Sequence, residues 1–381
     1  MRSVYFDYNA TTPLDAQVRE AMLPFLGEVF GNPSSVHHIG RKARAILDDA
    51  RDRVAKVWGS RPSEVVFTSG GTESNNLAIF GAARALRAKG RHLITSTIEH
   101  HAVLHSFQYL EKHEGFNVTY LPVSADGLVD PDDLKQAFRP DTTLVSLMAA
   151  NNETGTIQPV SALGALCQER KILFHTDAVQ WFGKEPFSHI DQFHADLVSI
   201  CAHKFHGPKG AGALYIKSPL HPDPILFGGS HENERRAGTE NLAGIVGLAE
   251  AMTRFVPKPV FVDAELRPLT EDLIKFASGL PGVKIRGSVT QRLANTVALT
   301  VAGCDSISLL AGLDMEGVCA SSGSACSAGS LEPSHVMVAL GVEKDEANSL
   351  VRFSLGRGST ADEVNYTKGV LENVIKRVRG A

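Results

Sequence analysis

The sequence predicts an α/β protein: a mostly parallel seven-stranded sheet with helices on both faces, joined to a smaller α+β domain. Three observations carry that prediction. From about residue 64 to 216, short β-rich runs alternate with stretches of helical spacing, the rhythm of repeated strand–helix–strand units. Several of these runs are apolar through most of their length, as strands covered on both faces must be. At "RFVPKPVF", Arg254 to Phe261, two nearby prolines break the chain and the alternation stops.

The strands expected in the first region are, in order, "EVVFTS", "HLITST", "NVTYLPV", "TTLVSLMAA", "KILFHTDA", "ADLVSICA" and "GALYIK". Between them, "ESNNLAIFGAARALRAKG" and "VSALGALCQERK" have helix-like spacing. Beyond the prolines, "NTVALTVAG" and "LVRFSLG" read as strands with helices between. The final helix is the clearest. Thr360 and Glu363 form a capping box, and Val364, Thr367, Leu371, Val374 and Val378 recur at intervals of three and four.

Composition narrows the class. Of 381 residues, 43% are apolar and 21% charged, ordinary for a globular chain. A net charge of -4 gives no general attraction to nucleic acid or anionic membranes. The N-terminus has no signal-like apolar run, and no stretch is long and apolar enough to span a bilayer. The five cysteines, at 167, 201, 304, 319 and 326, are odd in number and lack zinc spacing, so free thiols in a reducing cytoplasm are expected and no metal site.

Four stretches carry chemistry. In "FTSGGTESNN" a strand ends in two glycines before a helix, and the amides there, with Gly71 and Thr72, suit a phosphate as well as an ordinary Thr-capped turn. In "HTDAVQ", Asp177 follows a buried strand, where α/β proteins build their sites and where a carboxylate can hold a cation. In "CAHKFHGPKG", Lys204 also follows a buried strand; a desolvated amine of lowered pKa is what Schiff-base chemistry needs, although a lysine there can equally snorkel to solvent. An amine, a carboxylate and a phosphate cradle in that order are together the anchors of pyridoxal phosphate. Lastly, "ASSGSACSAGS" sets Cys326 among small residues that build no core, the composition of a loop.

The sequence resembles the cysteine desulfurases of the class V aminotransferase group, in the NifS/IscS-like branch. "DYNATTP", "FGNPSS", "FTSGGTESNNLAI", "EHHAVL", "NNETG", "HTDAVQ", "HKFHGPKG", "RRAGTEN", "SSGSACS", "LEPSHV" and "RFSLGR" follow the family's order across nearly the whole chain. The resemblance implies the type I fold of pyridoxal phosphate-dependent transferases. It implies a large domain over 14–256, and a small one from 1–13 and 257–381 that carries the cysteine loop at about 320–334. Lys204 is then the Schiff-base lysine and Asp177 the partner of the protonated ring nitrogen. His100 stacks on the ring and carries protons, and Gln180 touches the ring oxygen. Gly71, Thr72 and His203 hold the phosphate. Asn152 and Arg352 clamp the substrate carboxylate, a planar group that a guanidinium fork suits. Thr239 reaches the phosphate of a neighbouring subunit, which implies a homodimer. Cys326 is the nucleophile that takes sulfur from L-cysteine and becomes a persulfide, leaving alanine; a sulfur-acceptor protein, such as an iron–sulfur scaffold or a thiol carrier, then receives it. Selenocysteine lyase, an ordinary aminotransferase, or a non-catalytic sulfur-transfer platform are the competing activities on this frame. Three departures stand out. Cys201 occupies a place where relatives carry a hydroxyl for the phosphate, Ser230 and His231 replace the usual Gly and Gln, and the chain ends soon after its last helix.

Overall fold

The structure is a computed structural model that describes residues 2–323 and 332–380. All seven runs of the first region form one sheet. The strands are β2 (Val65–Thr68), β3 (His92–Ser96), β4 (Asn117–Leu121), β5 (Thr142–Ser146), β6 (Leu173–Asp177), β7 (Leu197–Cys201) and β8 (Gly212–Ile216), in the order β2-β8-β7-β6-β5-β3-β4. Only β8 runs against its neighbours; the other pairings are parallel. The register explains the unbroken apolar runs, because alternate side chains enter opposite cores. Val65 and Phe67 of β2, and Val198 and Ile200 of β7, face helices α2 (His38–Trp58), α6 (Val160–Arg170) and α7 (Leu242–Phe255). Val66, Leu197 and Leu214 face α3 (Gly71–Leu86) and α4 (His101–Glu114). A sheet buried on both faces needs apolar residues at both parities.

A separate core lies beyond the two prolines. It packs β9 (Val283–Arg286), β10 (Thr296–Val301) and β12 (Val351–Ser354), an antiparallel sheet of order β12-β10-β9, against α8 (Asp263–Ser278), α9 (Ser306–Met315) and α12 (Ala361–Val378). The N-terminus joins this core. Val4 and Phe6 are buried in it, and β1 (Val4–Tyr5) pairs in parallel with β11 (Val318–Cys319). Asp7 bridges to Ser354 directly afterwards, which delivers residues 7–12 to the seam between the two sheets. Among the described residues, no helix is long and apolar enough to cross a membrane.

Helix α12 has the predicted capping box: the Thr360 side chain accepts from the Glu363 N–H, and Glu363 takes the Thr360 N–H in return. Val364, Thr367, Leu371 and Val374 are buried on one stripe. Losing the cap hydroxyl leaves helix N–H groups unpaired, at about 1 kcal/mol. Thr360→Ala should therefore lower the thermal midpoint by about 2 °C, while Thr360→Ser stays near wild type, as differential scanning calorimetry can read.

Candidate active site

A cavity of roughly 240 Å³ opens at the carboxyl ends of the central strands. Each wall comes from the turn after one strand: Gly71, Thr72 and Asn75 after β2, His100 after β3, Asn152 after β5, Gln180 after β6, and Cys201, His203 and Lys204 at and after β7. Asp177 is the last residue of β6. Asn9, Ala10 and Arg352 of β12 close it from the other side. Strand ends in an open α/β sheet are where such crevices form, because the helices diverge there.

At one end α3 begins. Its cap is Gly70, with φ of 155° and no side-chain bond, so Thr72 lies inside the first turn, and the alternative of a Thr cap does not hold. Gly71 is required by space: a Cβ there would lie 2.8 Å from the Val179 side chain. No side chain caps the α3 start, which lines the cavity at Gly71 and Thr72 and so suits an anion; the Gly71 N–H bonds to the Cys201 thiol. His203 lies at the same end, its Nδ1 3.1 Å from the Thr11 hydroxyl. Burial, with Lys204 and Lys209 nearby, pushes its imidazole down to about 4, so it is neutral at pH 7. Cys201 is buried, and its thiol is pushed up to about 11 by burial, so it stays protonated; the Lys204 charge and the N–H groups of Gly71 and Lys204 resist that rise.

Lys204 is not on the strand but in a short 3-10 turn after β7, Ala202–Lys204. Its Nζ donates to the carbonyls of Asn9 at 2.7 Å and Ala10 at 2.8 Å. Burial holds its pKa below the ordinary lysine value; Arg352 adds to this, while Cys201, Asp7 and Asp177 oppose it. Asp177 is 5% exposed. Its Oδ2 accepts from Asn75 Nδ2 at 2.7 Å and its Oδ1 from the Val179 N–H at 3.0 Å. His100 caps α4, its Nδ1 accepting the Ala102 N–H at 3.1 Å, so the neutral ring carries its proton on Nε2. Gln180 is buried, and its Nε2 donates to the Asn9 carbonyl at 3.0 Å.

Arg352 is 1% exposed, so it is no surface ion pair. Its Nη2 donates to Asp7 Oδ1 at 2.7 Å, and its Nη1 to the carbonyls of Asn152 at 2.8 Å and Gly323 at 2.9 Å. Its Nε has no partner among the described residues. A buried guanidinium in a cavity wall is a site for an anionic group. Thr239 is exposed and does not line this cavity; α7 behind it is capped by Asn241. Arg357, by contrast, is partly exposed and pairs with Asp15. Cys326 lies outside the described residues.

Residues 4–367 match the family model for aminotransferase class-V. The chain belongs to this family. It is 50% identical, over 99% of its length and 96% of the relative's, to cysteine desulfurase IscS of Dictyoglomus turgidum. A solved NifS-like protein overlays 99% of the chain and 100% of its own with a TM-score of 0.92 at 38% identity. Another structure, SspA in complex with cysteine, covers 94% of this chain and 100% of its own with a TM-score of 0.83 at 36% identity. The fold is thus the NifS-like one of pyridoxal phosphate enzymes, and the cofactor of this family member is pyridoxal 5'-phosphate. The cavity fits that group. It offers an amine of lowered pKa, a buried carboxylate whose cavity-side charge lacks a cation among its hydrogen-bond partners, and a helix start that a single Cβ would block.

Four residues around the cavity escaped sequence reasoning. Asp7 and Asn9 were visible only as parts of "DYNATTP". Lys184, in "QWFGK", is 4% exposed with no carboxylate among its hydrogen-bond partners, an anomaly that its flanking aromatics hinted at. Glu99 precedes His100 and is fully buried. Burial pushes its carboxyl up to about 8, Asp177 adds to that, and bonds from Ser96 and the Met148 N–H oppose it. Its Oε2 has no partner among the described residues, which a neutral carboxyl tolerates and a carboxylate does not.

In the unfolded chain Glu99 ionises near about 4.3. Because its folded pKa is the higher one, its contribution to stability is complete below that pH and is lost as the pH rises through 8. Glu99→Gln, permanently neutral, should therefore lose less thermal stability than wild type between pH 5 and pH 9. Parallel melting curves across that range would show that Glu99 is already ionised at neutral pH.

Proposed function

We propose the following division of labour in this cavity. The chain is a pyridoxal phosphate-dependent cysteine desulfurase. The observation that carries the assignment of roles is the shared cavity: Lys204, Asp177 and Arg352 all line it, and the same Arg352 holds the Gly323 carbonyl three residues before Cys326.

Lys204 holds the cofactor covalently through its amine, which burial keeps unprotonated enough to react. Asp177, kept in place by Asn75 and Val179, faces the ring nitrogen as a fixed negative charge. His100 covers the ring, and Gln180 offers a donor to its oxygen. The α3 start, with Gly71 and Thr72, and His203 take the phosphate, while Thr239 of a second copy completes that end. Bound there, pyridoxal phosphate acts as the electron sink for charge developing at the substrate Cα. Arg352 and Asn152 orient L-cysteine by its carboxylate, and Lys204 and His100 are the groups placed to move the Cα proton. The Cys326 thiolate attacks the substrate sulfur. The substrate's carbon–sulfur bond breaks with its electron pair left on carbon, a sulfur–sulfur bond forms, and protonation of the carbon yields alanine. The persulfide then passes to an acceptor thiol or an iron–sulfur scaffold. A large unit of residues 14–256 and a small unit of 1–13 and 257–381 divide the chain between cofactor and sulfur. Exposed Phe30, Val36 and Phe227 support a homodimer, and the four described cysteines, all free, support a cytoplasmic setting.

Mass spectrometry after addition of L-cysteine should find one extra sulfur on the Cys326 peptide, and Cys326→Ser should abolish alanine release. Full turnover of Cys326→Ser would refute the thiol's role. Arg352→Lys keeps the charge but loses the fork, so KM for L-cysteine should rise at least about tenfold while kcat falls less; steady-state kinetics read the split.

A further inference from the structure

Lys184 is a buried amine that this scheme leaves unused; burial, with Lys204 and Arg352 nearby, holds its pKa well below the ordinary lysine value. It sits in the turn after β6, four residues beyond Gln180. Its Nζ donates to Gln180 Oε1 at 2.5 Å and to Asn9 Oδ1 at 2.7 Å, and it lies 5.2 Å from the centre of the Phe261 ring. Two amide oxygens thus take its N–H groups, and a ring face lies beside it. None of its hydrogen-bond partners is a carboxylate, so nothing about this site is explained by charge pairing. Burying a lysine amine on neutral partners is costly, and a methionine would fill the space without that cost.

What the amine does settle is the orientation of two amides. Its N–H groups are donated to the oxygens of Gln180 and Asn9, which turns the Gln180 NH2 the other way. That NH2 donates to the Asn9 carbonyl, the same oxygen that receives Lys204. Asn9 is fixed in the same manner. Its Oδ1 takes Lys184 and Asn295, and its Nδ2 is thereby directed to Thr296 Oγ1 at 2.9 Å and the Asn152 carbonyl at 3.3 Å. Residues from the N-terminal segment, the central sheet and the C-terminal core meet on these two side chains.

We propose that Lys184 is a positioning residue for the cofactor cavity: its Nζ donors clamp the Gln180 and Asn9 amides so that Gln180 presents a donor, not an acceptor, to the bound group. This rests on the reading of the cavity given above, and it adds a lysine that never touches the cofactor.

A double-mutant cycle tests it, reading the affinity of cofactor-free protein for pyridoxal phosphate by fluorescence, with the near-visible band of the reloaded protein as a second readout. Lys184→Met should weaken affinity about tenfold and shift the band, Gln180→Leu should do likewise, and the double variant should be no worse than Gln180→Leu alone. Lys184→Leu, which likewise lacks a donor, runs in parallel and decides by the same criteria should Lys184→Met fail to fold. Additive losses, or affinity within twofold of wild type for the lysine variants, overturn the proposal by showing a residue that only fills space. Unchanged affinity in Gln180→Leu overturns it in every case, since nothing would then be positioned. Failure of wild-type protein to bind pyridoxal phosphate would instead remove the underlying reading of the cavity.

Discussion

Three basic side chains, Lys184, Lys204 and Arg352, are held out of water around a single asparagine and its neighbours, and the rest of the site follows from how they are accommodated. Only Arg352 has a carboxylate among its direct partners, Asp7. Lys184 and Lys204 rest instead on amide and backbone oxygens of residues 9, 10 and 180. Carbonyl dipoles stabilise a buried cation less than a carboxylate does, which keeps an amine reactive where full pairing would hold it protonated. Arg352 never deprotonates, so it can be paired and still keep a free N–H for a ligand.

The anion-binding parts obey the complementary logic. Asp177 is fixed by an Asn side chain and a backbone N–H, both neutral, so its charge is left for whatever cation enters. The helix start at Gly71 has no capping side chain of its own, and the Gly71 N–H goes only to a neutral thiol, so no anion of the chain already occupies it. Neutral His203 and the protonated thiol of Cys201 add no charge there. The cavity thus separates a region of donors from a region of fixed negative charge, and a zwitterionic ring with a phosphate tail matches that separation.

The two cores give this arrangement its mechanical basis. The central sheet supplies Asp177, His203 and Lys204 from strand ends, where backbone position is set by parallel pairing on both sides of β6. The antiparallel sheet supplies Arg352. The segment from Asp7 to Thr12 stitches them, since Asn9 bonds to both and Thr12 receives the His203 carbonyl through its own N–H and hydroxyl. A change in the relative placement of the cores must therefore disturb the Lys204 and Arg352 contacts together.

Much of this was legible in the chain alone. All seven strands of the central sheet, the change of architecture after the prolines and the cap of α12 came from periodicity and local turn chemistry, which are properties of neighbouring residues. So did the candidacy of Asp177 and Lys204, because polar residues at the ends of apolar strands are locally anomalous. The sequence could not decide that Gly70 and not Thr72 caps α3, since both are cap formers and only the folded backbone, with φ of 155° at Gly70, selects the glycine. Nor could it place Asn9 against Lys184, or Arg352 against Asp7, pairs 175 and 345 positions apart. Those contacts exist only once two separate cores have closed on one N-terminal segment. Burial, and with it the cost of every charge in the site, is a property of that closed arrangement and not of any stretch of chain.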